Sequence, residues 1–171
     1  MCKFAGFDMV LNSRLLGNCL LLLISLTAGL FANAQTGFSR QAFYAALASN
    51  NTTSWNKQLE NIKNLKGNDK AALEGALLMR KSGSLKVPAQ KLSLFKKGHR
   101  LLEGAISKEP QNTEFRFLRL MIQENAPKAV GYNKNLAEDA QTVKNNYNAL
   151  PGAVQQAISA YSKSSKTLTG L

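Results

Sequence analysis

Cysteine is nearly absent from this chain. Its 171 residues hold two, Cys2 and Cys19, and both lie before the small-residue triplet Ala32–Asn33–Ala34. A chain that begins after that triplet has no disulfide, no thiol nucleophile and no cysteine-based zinc site. Histidine is scarcer still, with His99 alone. A single imidazole cannot build a histidine cluster for a metal, and as an acid–base group it needs an orienting partner. Acidic residues number 10 against 22 basic ones, a formal net charge of +12. Sustained period-two alternation is missing and β-branched residues are few, which argues against a sheet. No glycine-rich loop has the length or context to cradle a phosphate, and no serine sits in a nucleophile elbow. The sequence therefore implies no cofactor, no metal and no catalytic residues, and the expectation is a protein that is not an enzyme.

Long apolar runs are also lacking, with one exception. Lys3 and Arg14 precede the run Cys19–Phe31, and Ala32–Ala34 offers a small-x-small cleavage site before Gln35. This is the layout of a secretory signal peptide, and the run is shorter than the ~20 residues a bilayer span needs. The expectation is a signal peptide over 1–34, cleaved on export to the periplasm or beyond, with no retained transmembrane helix. Met9 offers an alternative start that would give a more ordinary basic region. Without Lys3, Arg14 and Asp8, 20 basic and 9 acidic residues remain, a net of +11.

What is present is helical patterning, in about seven short segments over residues 35–164, read as a single all-α domain. Ser39 caps the first segment, with Phe43, Ala46 and Leu47 on its apolar face. Trp55, Leu59 and Ile62 mark the second. The third is capped by Asn68, carries Asp69 in its first turn and buries Leu73, Ala76 and Leu77. Pro88 opens the fourth, whose inward stripe is Leu92, Phe95, Leu102 and Ile106. Asn112 caps the fifth, Thr113 to about Glu124. Its Phe115, Phe117, Leu118, Leu120, Met121 and Ile122 cover most of its circumference, which places it centrally. The sixth, from about Asn133, which can cap it, shows only a narrow stripe of Leu136, Ala140, Val143 and Tyr147. Pro151 starts the seventh, with Val154, Ile158 and Tyr161 inward. Residues 165–171 are small and polar and read as a disordered tail.

The stretch "LFKKGHRLLEGAISKEPQNTEFRFLRL", Leu94 to Leu120, resembles the join between tetratricopeptide repeats (TPR). Gly98, Ala105, Pro110, Asn112 and Glu114 match the shape of that join, and "GALLMRKSG" before it looks like a repeat's first helix. The period is longer than the family's, and its Trp and Tyr signature positions are missing. The whole chain resembles small exported TPR-like proteins of Bacteroidota without an assigned function. The resemblance implies stacked helical hairpins and brings no catalytic residues with it.

Two features invite a functional reading. His99 shares the register of Leu92, Phe95, Leu102 and Ile106, with Glu103 one turn on as a candidate partner; the plainer reading is a half-buried helix residue. Arg116, Arg119 and Gln123 form a polar stripe on the most apolar helix. Either they pair with Glu138 or Asp139, or they fork a partner's acidic groups. The stripe leads to the corner "QENAPKAVGYNKN", Gln123–Asn135, where Pro127 and Gly131 break the helices. If a partner-binding site exists, the sequence places it at Arg116, Arg119, Gln123, Asn125, Tyr132 and Asn133. The leading expectation is an exported protein-interaction or structural module of the bacterial envelope. The alternative is an electrostatic binder of an anionic envelope polymer or of lipid head groups, drawn by the +11 charge. No base-stacking platform or named motif points to a specific nucleic acid.

Overall fold

Helix signals in the sequence become helix boundaries with few exceptions. In the computed structural model, which describes residues 37–169, seven α-helices follow one another: α1 (Arg40–Ala48), α2 (Thr52–Ile62), α3 (Gly67–Ser82), α4 (Pro88–Lys108), α5 (Thr113–Asn125), α6 (Leu136–Asn146) and α7 (Gly152–Ser162). Short 3₁₀ turns occupy Lys128–Val130 and Tyr147–Ala149. The described residues contain no strand, so the fold is all-α. The expected signal peptide, its cleavage site and both cysteines lie outside the described residues.

The caps are side-chain oxygens placed on orphan amides. Ser39 accepts from the amide of Ala42 at 3.3 Å, Asn51 from those of Thr53 and Ser54 at 2.9 and 3.1 Å, and Asn112 from that of Phe115 at 3.2 Å. Two expected caps differ. Helix α3 begins at Gly67 without a side-chain cap, and Asn68 instead donates to the Glu109 carboxylate at 2.8 Å. Gly67, at φ +68°, turns the chain into α3 from the left-handed region that glycine enters without a Cβ clash. Asn133 does not cap α6 either; the helix starts two residues later, behind Asn135.

Helices α3 and α4 form an antiparallel hairpin that is unusually close at its centre. A Cβ on Gly75 would stand 2.7 Å from the Gly98 carbonyl oxygen, and one on Gly98 only 2.5 Å from the Gly75 oxygen. Two glycines face to face thus let the backbones touch, and Leu102, Ala105 and Ile106 follow them into the core. A second antiparallel hairpin, α5 with α6, brings Arg116 and Arg119 to Asp139 and Gln123 to Asn135.

Helix α5 is the axis of the core. Every residue from Thr113 to Gln123 is buried. The same buried cluster holds Phe43, Leu47, Trp55, Leu73, Leu77, Val154 and Ile158. The rings of Tyr44 and Tyr161 meet Phe117 from two sides, at 5.7 and 6.0 Å between centroids. Trp55 is buried and its indole N–H donates to the Ala46 carbonyl at 2.9 Å.

The first half of α4 departs from expectation. Leu92, read as inward, is 52% exposed, and Phe95 is only half-buried. The tail departs the other way. Ser165 and Leu168 are buried, so the segment read as disordered is folded through at least Thr169.

Two glycines of α4, Gly98 packed against α3 and Gly104 open, give a direct check of the hairpin. Gly98→Ala drives a methyl into backbone atoms and should destabilise the protein by about 1–3 kcal/mol. Gly104 has nothing within 4 Å of a Cβ, so Gly104→Ala should stabilise by about 0.5–1 kcal/mol through helix propensity alone. Urea unfolding of the two variants measures both, and equal effects would contradict the close crossing.

Candidate functional site

The arginine stripe of α5 points inward, to the face covered by α6. Asp139, in the first turn of α6, is fully buried. Arg119 grips it in a fork, with Nε 2.7 Å from Oδ2 and Nη2 2.8 Å from Oδ1. Arg116 reaches the same Oδ1 at 3.1 Å, Glu138 at 2.7 Å and the Pro110 carbonyl at 2.8 Å. Two bidentate-capable cations on one carboxylate form a charge-assisted network that satisfies all its members. Arg119 also donates to Glu103 at 3.1 Å, and the acidic pair raises its pKa although burial alone would lower it. Hydrogen bonding from Arg116 holds the Glu138 carboxyl below its ordinary range.

The rest of the predicted corner joins the same framework. Gln123 is buried, donating to the Asn135 side chain and accepting from the Asn135 amide, both at 3.3 Å. Burial and its hydrogen bond to Glu103 push the Tyr132 hydroxyl up. Tyr132 also lies edge-on to His99, with ring centroids 4.8 Å apart, and to Phe95 at 5.9 Å. Glu103 therefore serves Arg119 and Tyr132, and His99 has no carboxylate to orient it among the described residues. Asn133 is exposed. Of the six predicted site residues, five make internal hydrogen bonds, Asn133 stands apart, and Asn125, which donates to the Met121 carbonyl and the Tyr161 hydroxyl, alone borders an open cavity.

That cavity is a cleft of about 760 Å³. Its floor is the underside of the core: Tyr44, Leu47, Met79, Met121 and Ile122. One wall is the first turns of α4, with Lys91, Leu92 and Phe95; another is the turn after α5, with Ala126, Pro127 and Val130. Helices α1 and α7 complete it with the exposed small residues Ala45, Ala48 and Ala160. The exposed aliphatics of the described residues gather here, Leu92 and Val130 within the cleft and Val87 beside Pro88. The cleft was missed because no single helix carries it. Leu92, an apolar residue in core register, is the one sequence signal that belongs to it.

Beside the cleft, Glu124 fastens the C-terminal tail. Its carboxylate accepts from the Tyr161 hydroxyl at 2.6 Å, from the Thr167 hydroxyl at 2.8 Å, and from the amides of Lys166 and Thr167 at 2.8 and 2.9 Å. The Ser165 hydroxyl adds 2.9 and 3.0 Å contacts. Partial burial raises the Glu124 pKa, but these donors outweigh it and hold the carboxyl below its ordinary 4.5. Tyr161, in turn pushed up by burial and by Glu124, lines the cleft and accepts from Asn125 at 3.0 Å.

Across α5, Glu114 accepts from Arg40 at 3.0 Å and from the buried Tyr44 hydroxyl at 3.1 Å. Burial raises the Glu114 pKa despite Arg40. No buried side-chain polar atom among the described residues lacks a hydrogen-bond partner. No group of three or more His, Cys, Asp or Glu among them is placed to hold a metal ion, and no helix among them is long and apolar enough to cross a membrane. No family, no curated protein and no solved structure matches the chain.

Two outcomes test these assignments. Replacing both Arg116 and Arg119 by Ala leaves the Asp139 carboxylate buried and unpaired, and should cost about 3–5 kcal/mol of stability in denaturant unfolding; an unchanged midpoint would free the arginines for a partner. The second concerns acid. Because folding lowers the Glu124 pKa, its contribution is present above the unfolded value near 4.5 and is lost as pH falls through the lower folded value. Amide exchange at Thr167 should therefore accelerate on acidification below about pH 4.5 in the native chain, and should become pH-flat after correction for intrinsic rates in Glu124→Gln.

Proposed function

We propose that this protein is an exported, non-enzymatic binding module of the bacterial envelope, periplasmic or secreted, whose TPR-like hairpins present the cleft to an apolar segment of an envelope protein. The observation that carries the reading is the cleft itself. Monomers seldom leave large aliphatics grouped on a concave surface unless something covers them. Leu92 and Val130 both line a cavity whose size is that of a binding site. Elsewhere among the described residues, the buried charges of α5 and α6 are paired and the polar corner between these helices is internally bonded. A non-catalytic role is supported by His99, whose contacts are aromatic rings and not carboxylates.

A second reading rests on the outer face of α4, where Lys96, Lys97, Arg100 and Lys108 are exposed. This face suits an anionic polymer or lipid head group, and such binding should weaken steeply between low and physiological salt.

The cleft reading is tested with N-phenyl-1-naphthylamine, a neutral dye that brightens in apolar surroundings. Saturable binding to the folded protein is expected. Leu92→Asp, at a half-exposed position, should weaken it by about tenfold or more with little change in melting temperature. Equal binding by variant and parent would place the dye elsewhere and remove the cleft from the function.

A further inference from the structure

The cleft is selective in charge. Among the described residues its charged lining is Arg80 and Lys91, both cationic, with no carboxylate. Arg80 is the informative one. Its Nε donates to the Leu47 carbonyl at 3.2 Å, and its Nη2 to the Ser49 carbonyl at 3.3 Å and the Asn50 side chain at 2.7 Å. The guanidinium carbon lies 5.7 Å from the centroid of the Trp55 ring. All three acceptors are neutral, and no ion pair joins Arg80 to a carboxylate among the described residues. Arg40, Arg116 and Arg119 contrast with it, each paired with at least one acid. Arg80 is thus a half-buried cation fixed in direction by carbonyls and an aromatic face, with its charge uncompensated.

Resting on the cleft reading above, the geometry points to one occupant: an amphipathic helix of a partner protein that lays its apolar face into the cleft and sets a carboxylate from its flank on Arg80. Three observations favour a helix over a small amphiphile. Ala45, Ala48 and Ala160 leave the α1 and α7 walls low, which lets a backbone as broad as a helix approach. The walls are helix surfaces, which accept residues spaced at i, i+3, i+4 and i+7. Val87, 48% exposed, continues the apolar surface beyond the cleft lining, where a molecule confined to the cavity does not reach. Charge complementarity supplies the acidic flank. Lys91, an exposed residue of the cleft lining, adds a weaker second contact of the same sign.

The test uses the dye complex and two labelled synthetic peptides of about 18 residues, five helical turns. Both carry Leu at i, i+3, i+4 and i+7; one has Glu along the flank and the other Gln at the same positions. Dodecanoate is the third competitor. The Glu peptide should displace the dye and bind about tenfold or more tightly than the Gln peptide. Arg80→Gln should reduce that preference to within about twofold while retaining the dye. Lys91→Gln, at an exposed side chain, should shrink it by a smaller factor. A preference untouched by both substitutions overturns the charge argument. Failure of both peptides to displace the dye, or displacement by dodecanoate alone, overturns the helix. Absence of dye binding in the parent protein is a different result, and defeats the cleft reading itself.

Discussion

A helix with no solvent-facing side must neutralise every charge it carries, and α5 is such a helix. From Thr113 to Gln123 it is buried on all sides, yet it holds Glu114, Arg116 and Arg119. An unpaired ion in that position costs several kcal/mol, so each charge needs a partner delivered by a neighbouring element. Arg40 and Tyr44 of α1 meet Glu114; Asp139 of α6 meets both arginines; Glu103 of α4 meets Arg119. These pairs fix where α1, α4 and α6 sit around the axis. Apolar contact alone is non-directional and leaves the rotation of each helix loosely set. The forked Arg119–Asp139 pair is directional, and it fixes the register of α6 against α5.

The cleft is the counterpart of that closure. Helices α3 and α4 are pinned where Gly75 meets Gly98, at the centre of the hairpin. Between that crossing and the loop, the start of α4 has Lys91 and Leu92 in the open and Phe95 half-covered. On the opposite side, Pro127 ends α5 by removing a backbone donor, and the chain turns outward through Lys128–Val130. Two breaks in helix packing therefore face the alanine-lined surfaces of α1 and α7. The tail is fastened beside the cleft, where Glu124 gathers hydroxyl and amide donors from Tyr161 through Thr167, and Leu168 is inserted into the core.

Much of the architecture was legible in the sequence. Ser39 and Asn112 announce helix starts through a side-chain oxygen that reaches the next turn, and Pro88 through its fixed φ. The near-continuous apolar circumference of Phe115–Ile122 implies a central helix, and it is one. Pairing of Arg116 with Glu138 or Asp139 was among the two readings of the stripe. Other parts were not legible. Leu92 shares the register of buried Leu102, yet it is exposed, because register describes a helix face and says nothing about where the facing helix stops. The polar tail reads as disordered because its composition offers little to bury, but Glu124, some forty residues earlier, supplies the missing partner.

By itself, then, the sequence determined the local events: most of the caps, the breaks and the apolar faces. These depend on residues within a turn or two of each other, where spacing fixes geometry. Tertiary structure decided which polar groups were spent and which remained. Arg80 and Arg119 are alike as residues, each on a helix among apolar neighbours. One faces Asp139 from across the α5–α6 corner, and the other faces only carbonyls and a ring. That difference is set by what the chain brings up from far along its length, and long-range approach leaves no mark in local spacing.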